Sequence, residues 1–161
     1  MTNSSTSAAS ALPSTPIVLI TGGSRGLGRS AALAAARTGI DVVLTYRQQA
    51  AEAQAVVAQI EALGRRAVAL PLDVGDVRSF EGFAAQLTQA LQTHWQRERF
   101  DFLVNNAGMG VHAPITDTTE AQFDALVNVH LKGVFFLIQR LLPLMNDGGR
   151  ILNLSSGLAR F

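Results

Sequence analysis

From residue 16 onward, apolar runs of strand length alternate with longer stretches whose apolar residues recur every three or four positions. A short apolar run bounded by turn residues marks a buried strand, and the longer spacing marks a helix with one buried face. The runs Ile17–Thr21, Asp41–Arg47, Ala67–Asp73, Phe100–Gly108 and Arg150–Ser156 predict five strands. Helices are predicted between them over 29–39, 48–63 and 79–92, the first two stopping at Gly39 and Gly64 as C-terminal caps would. A last long helix begins at Thr119 and Glu120 and carries Phe123, Leu126, Val127, Leu131, Val134, Phe135 and Ile138 on one face. Pro143 and then Gly148 and Gly149 close it. Strands alternating with helices predict an α/β domain with a doubly wound parallel sheet, cut off after its fifth strand.

Composition adds a boundary and removes several function classes. With 161 residues, 48% hydrophobic and 16% charged, the chain has apolar material for one core, expected over residues 16–161. The first fifteen residues, rich in Ser, Thr and Ala, have neither a basic start nor an apolar run of signal-peptide or membrane length, and are expected to be a disordered tail. Thirteen basic and twelve acidic residues give a net charge of +1, which predicts neither a nucleic-acid nor a membrane partner. Without cysteine there is no disulfide or thiolate metal site, and His94, His112 and His130 are too scattered to predict any metal. A cytoplasmic location is the default expectation.

Chemistry begins at the first strand-to-helix turn, Thr21–Gly28, which reads TGGSRGLG. Gly22 permits a tight turn, Gly26 lets backbone N–H groups approach a diphosphate, and Gly28 lets the helix pack closely on the sheet. The helix N-terminus adds partial positive charge. Ser24, Arg25 and Leu27 complete a turn that predicts a Rossmann-type site for a nicotinamide dinucleotide. The plainer alternative, a flexible βα loop, is disfavoured by the strand before it and the helix after it.

The order Thr-Gly-x-x-x-Gly-x-Gly departs from the commoner G-x-G-x-x-G and resembles the short-chain dehydrogenase/reductase family. Four further segments match that family in sequence order. Asp73-Val74 resembles its adenine-ring contact, and Asn105-Asn106-Ala107-Gly108 resembles its NNAG segment beside the cofactor. His130–Phe136, HLKGVFF, is similar to its NxKGVFF stretch, and Ile151–Ser156, ILNLSS, to the strand bearing its catalytic serine. The likeness runs from residue 16 to 161. It implies reversible hydride transfer between a nicotinamide and a carbonyl or alcohol carbon of a small molecule.

Charge bears on which nicotinamide cofactor is expected. A selector of NAD usually carries an acid at the end of the second strand, where this chain has Tyr46-Arg47. The guanidinium of Arg47, assisted by Arg25, suits the 2′-phosphate of NADP, so NADP is expected over NAD. The alternative makes both arginines ordinary solvated charges.

The resemblance implies a catalytic Ser, Tyr and Lys, of which only Ser156 has a counterpart here. Tyr46, the single tyrosine, falls beside the adenosine half of the cofactor, and Lys132, the single lysine, falls in the long helix. No Tyr-x-x-x-Lys occurs, so negligible turnover is expected of these 161 residues. His130 stands where the family has an asparagine of its proton relay. A relay through a held water and plain packing against the core are both open for it. The resemblance also implies homo-oligomers formed through the helices between Phe80 and Met145, and an unpaired edge at the fifth strand. Three readings follow: an NADP-dependent oxidoreductase, a non-catalytic NADP-binding module, and a dimerising interaction protein.

Overall fold

The computed structural model describes residues 15–156. Five parallel strands, β1 (Ile17–Ile20), β2 (Asp41–Tyr46), β3 (Ala67–Pro71), β4 (Phe100–Asn105) and β5 (Met145–Asn153), form one sheet in the order β3-β2-β1-β4-β5. Helices α1 (Gly26–Arg37), α2 (Ala50–Ala62), α3 (Phe80–Trp95), α4 (Glu120–Val127) and α5 (Gly133–Leu141) make the crossovers. Strands covered on both faces must be apolar on both, which is why β1 reads IVLI and β2 carries Val42, Val43 and Leu44 in succession. Side chains alternate across them. Ile17, Leu19 and Val43 join the core beneath α3 and α5 with Phe80, Leu87, Leu91, Leu103, Leu137 and Leu141. Val18, Ile20, Val42 and Leu44 point the other way, against Ala32 and Ala36 of α1 and Val56 and Ile60 of α2.

Several element ends differ from the sequence pattern, each for a local reason. Helix α1 begins at Gly26, three residues before Arg29, because the glycine turn itself enters the helix. Strand β4 stops at Asn105 instead of reaching Gly108: the N–H groups of Asn106 and Ala107 both donate to Thr21 Oγ1, at 3.0 Å each, and leave the ladder. Strand β5 starts at Met145, opposite Phe100, and then bulges through Asn146–Gly149 before Arg150 pairs with Phe102. The regular ladder therefore begins at Arg150 but ends at Asn153, leaving Ser155 and Ser156 beyond the strand.

The predicted long helix is not one α-helix. Residues Asn128–Lys132 form a π turn between α4 and α5, closed by the Gly133 N–H donating to the Asn128 carbonyl. At Gly133 the backbone lies so close to the Val74 carbonyl that a Cβ has no room. Wide turns of this kind recur at functional sites. Within the helical run Glu120–Leu144 an 18-residue stretch reaches a mean hydropathy of 1.4, long and apolar enough by length and composition to cross a membrane. In this fold its Val129, Leu137 and Leu141 are buried in the sheet's core.

Two carboxylates tie the amino ends of the strands. Asp41, fully buried, accepts from the Trp95 indole N–H at 2.8 Å and from the Arg66 N–H at 3.0 Å. Asp101 accepts from the Ile17 N–H at 2.8 Å, from Arg97 Nη2 and from Asn146 Nδ2. The expected tail, residues 1–15, lies outside the described residues apart from Thr15, whose carbonyl accepts from Arg97 at 2.9 Å.

Candidate functional site

Strand order reverses direction between β1 and β4, so the loops after these two strands part and leave a crevice at the carboxyl edge of the sheet. The turn after β1 is shaped for close approach. Gly22 has φ +67°, a left-handed conformation that favours glycine, and its N–H donates to Thr45 Oγ1 at 3.2 Å. A Cβ on Gly28 would collide with the Gly22 carbonyl and the Asn106 side-chain amide. That amide donates to the carbonyls of Thr21, at 2.8 Å, and Gly22, at 3.1 Å, and so fastens the loop after β4 onto the loop after β1.

Helix α1 meets this turn with its N-terminus undressed. Arg25 occupies the N-cap position in an extended conformation, no side chain caps the helix, and no acid lies in its first turn. Backbone N–H groups there lack intrahelical acceptors and carry the positive end of the helix dipole. Such an end is a ready anion site.

The crevice encloses about 450 Å³. Its floor is the glycine turn, with Gly22, Ser24, Arg25, Leu27 and Gly28. Tyr46 and Arg47 close one end after β2, Asp73 and Val74 follow β3, and Asn106, Ala107 and Gly108 follow β4. Every residue that the sequence offered for the cofactor is therefore on the crevice wall except Gly26, which starts α1 with φ +56°. Sequence reasoning missed Gln48, Gln49, Leu72, Met109, Gly110 and Val129. Gln48 and Met109 adjoin residues already named, whereas Val129 arrives from a distant helix with no local signal. Arg25 and Arg47 are exposed, and among the described residues neither meets a carboxylate. Asp73 Oδ1 accepts the Gly75 N–H at 2.9 Å, a local turn contact.

The two residues offered for catalysis sit elsewhere. His130 lines a second, more apolar cleft of about 340 Å³ between α5 and the ends of β4 and β5, together with Phe135, Ile138, Asn153 and Leu154. Ala107 borders both clefts. The Asn105 side-chain amide donates to Asn153 Oδ1 at 2.8 Å across this region, while Asn105 Oδ1 is buried without a partner among the described residues. Ser156 is exposed, three residues past the end of β5. His94 and His112 are exposed and belong to neither cleft, and no cluster of metal-binding side chains occurs among the described residues.

Residues 16–161 match the family described as short chain dehydrogenase. The chain belongs to the short-chain dehydrogenase family. Hydroxynaphthalene reductase arp2 of Aspergillus fumigatus is 35% identical over 140 residues, covering 87% of this chain and 49% of the relative. The 3-oxoacyl-[acyl-carrier-protein] reductase of Synechocystis is 36% identical over 143 residues, 87% of this chain and 55% of its own length. Among solved structures, a short-chain dehydrogenase from Burkholderia cenocepacia in complex with NADP superposes with a TM-score of 0.82 at 38% identity, covering 91% of this chain and 58% of that one. The chain thus spans about half the length of the curated short-chain dehydrogenases it matches. Its five-stranded sheet is the Rossmann-type doubly wound arrangement shared with these relatives.

Proposed function

We propose that the crevice holds a nicotinamide dinucleotide, NADP in preference to NAD, in the service of a carbonyl-reducing or alcohol-oxidising activity on a small molecule. The observation that carries this reading is the uncapped, acid-free N-terminus of α1, set on a turn where Gly28 excludes any side chain. A diphosphate fits there against the backbone of Ser24–Gly28. Arg47 and Arg25, free of carboxylate partners among the described residues, suit a 2′-phosphate with charge-assisted hydrogen bonds. Asp73 and Val74 suit the adenine, and Asn106–Gly108 the nicotinamide half. The solved relative with bound NADP supports the same choice.

When bound, the cofactor supplies hydride exchange with a carbonyl or alcohol carbon. The group of this chain assigned to the reacting oxygen in this reading is the Ser156 hydroxyl, as a donor, with His130 as the other candidate group. Neither Tyr46 nor Lys132 can form the Tyr-x-x-x-Lys pair. A second reading, a binding module without turnover, is favoured by that one observation for these 161 residues. Leu131, Phe135 and Leu142, 68%, 60% and 57% exposed on the long helical run, support association of copies through it, which sedimentation at rising concentration checks. A cytoplasmic setting fits this chemistry.

Comparing the dissociation constants for NADPH and NADH tests the reading. NADPH is expected to bind at least about tenfold more tightly, the worth of one charge-assisted pair, and Arg47→Glu to erase the difference. Tighter binding of NADH overturns the cofactor choice. Turnover of carbonyl substrates by the 161-residue chain is expected to be negligible, and a rate above background contradicts that part.

A further inference from the structure

Sulfur is placed unevenly in this chain. There is no cysteine, so no thiol competes for an oxidant, and three methionines carry all the sulfur. Met1 lies outside the described residues. Met145 is 7% exposed and belongs to the core with Phe100, Leu137 and Leu141. Met109 is 36% exposed and lines the nucleotide crevice between Gly108 and Gly110, which line it too. Among the described residues it is the one exposed methionine.

Its surroundings favour both attack and consequence. Residues 108–113 form no regular structure, and the two flanking glycines put no side chain beside the thioether. The backbone is placed nonetheless, the Met109 carbonyl oxygen lying 2.7 Å from His130 Nε2. On the crevice wall Met109 joins Leu27, Leu72, Val74, Ala107 and Val129 as the apolar part of the lining. It directly follows Asn106–Gly108, the segment suited to the nicotinamide half. A thioether in that position offers an aromatic ring a soft, polarizable surface. Its sulfoxide offers a polar oxygen that water solvates and the ring does not.

We propose that Met109 is an oxidation site that sets nucleotide affinity: a hydroperoxide converts it to the sulfoxide, and the crevice then holds its nucleotide less tightly. In that step the sulfur lone pair attacks the terminal peroxide oxygen, and an S–O bond forms as the O–O bond breaks. The proton of the transferred oxygen passes to the leaving one. Sulfur is oxidised by two electrons, and the peroxide is reduced to water or an alcohol. The effect runs both ways, since a bound nucleotide covers the thioether and slows its oxidation. The consequence for binding rests on the cofactor reading above, whereas the selectivity of the oxidation does not.

The test treats the 161-residue chain with hydrogen peroxide, with and without saturating NADP⁺, and weighs each methionine's tryptic peptide. Cleavage after Arg99 and Lys132 isolates Met109 within residues 100–132, and cleavage after Arg140 and Arg150 isolates Met145 within residues 141–150. Met109 is expected to gain one oxygen at least about tenfold faster than Met145, and at least about threefold more slowly once NADP⁺ is bound. With the peroxide removed, the NADPH dissociation constant is expected to have risen about three- to thirtyfold. Methionine sulfoxide reductase is expected to restore it. In Met109→Leu, peroxide is expected to leave the variant's own dissociation constant, whatever its value, where it was.

Equal oxidation of Met109 and Met145 overturns the proposal, as does a sulfoxide at Met109 that leaves NADPH affinity unchanged, and both leave the cofactor reading standing. A peroxide-induced loss of affinity that persists in Met109→Leu assigns the effect to another residue and overturns it too. Failure of the untreated chain to bind NADPH overturns the cofactor reading, and with it the part of Met109 in binding, whatever the masses show.

Discussion

Gly28 decides how near helix α1 comes to the end of β1. Because a Cβ there meets a backbone carbonyl and the Asn106 amide, neither of which is a flexible chain end, Gly28→Ala forces the helix and the turn apart. The expected cost is roughly 1–3 kcal/mol of stability from overpacking, with a loss of NADPH affinity of more than about tenfold, read by urea denaturation and by titration. Unchanged values for both contradict the close approach. Glycines of this kind were legible in the sequence, because a strand before them and a helix after them leave little else for them to do. Arg47, Asp73 and Asn106 were legible as crevice residues for the same reason: each lies within two residues of a strand's end, and the carboxyl ends of parallel strands converge on one crevice. Val129 was not legible. It stands outside the apolar face that the spacing marks on the long helix, and only the packing of that helix against the loop after β3 makes it crevice lining. The tie between His130 and Met109 was hidden likewise, since residues 21 positions apart meet only in the folded chain.

At the scale of elements, the alternation of apolar runs and helical spacing reported all five strands and the helices between them, but their ends depended on partners. Thr21 illustrates this: its hydroxyl accepts two N–H groups from the loop after β4, ending that strand at Asn105 where the apolar pattern alone runs on. The π turn escaped for a different reason. One extra residue in a helical turn leaves the three-four spacing almost intact, and the contact that accompanies it, Gly133 on the Val74 carbonyl, is tertiary. At the opposite edge of the sheet, Asp41 ties β2 to α3 through Trp95, the single tryptophan. Asp41→Ala removes the acceptor of a buried indole N–H and of the Arg66 N–H, an expected loss of about 2–4 kcal/mol. Tryptophan fluorescence during urea unfolding measures it. NADPH binding to the folded variant is expected to be unchanged, because Asp41 begins the strand whose other end reaches the crevice. A loss of affinity without a loss of stability contradicts this division between the two edges.

For the molecule as a whole, the complete crevice and the open face beside it belong together. Crevice walls come from the ends of β1, β2, β3 and β4, of which only β3 lies at an edge of the sheet. The second cleft instead lies along β5, whose Ile151 and Leu152 are 38% and 58% exposed at the sheet's edge. Relatives about twice as long share this fold over the matched part. In the proposed function, nucleotide binding draws on residues that the described fold holds in place, whereas the catalytic role falls to Ser156, beyond the end of β5. The measurement closest to this claim is a titration of the isotope-labelled 161-residue chain with NADPH, followed by backbone amide chemical shifts. The largest changes are expected at Ser24–Gly28, with smaller ones at Arg47, Val74 and Asn106–Gly110. Absence of saturable shifts, or shifts centred on Val134–Ile138 of the second cleft, contradicts the placement of the cofactor at the N-terminus of α1.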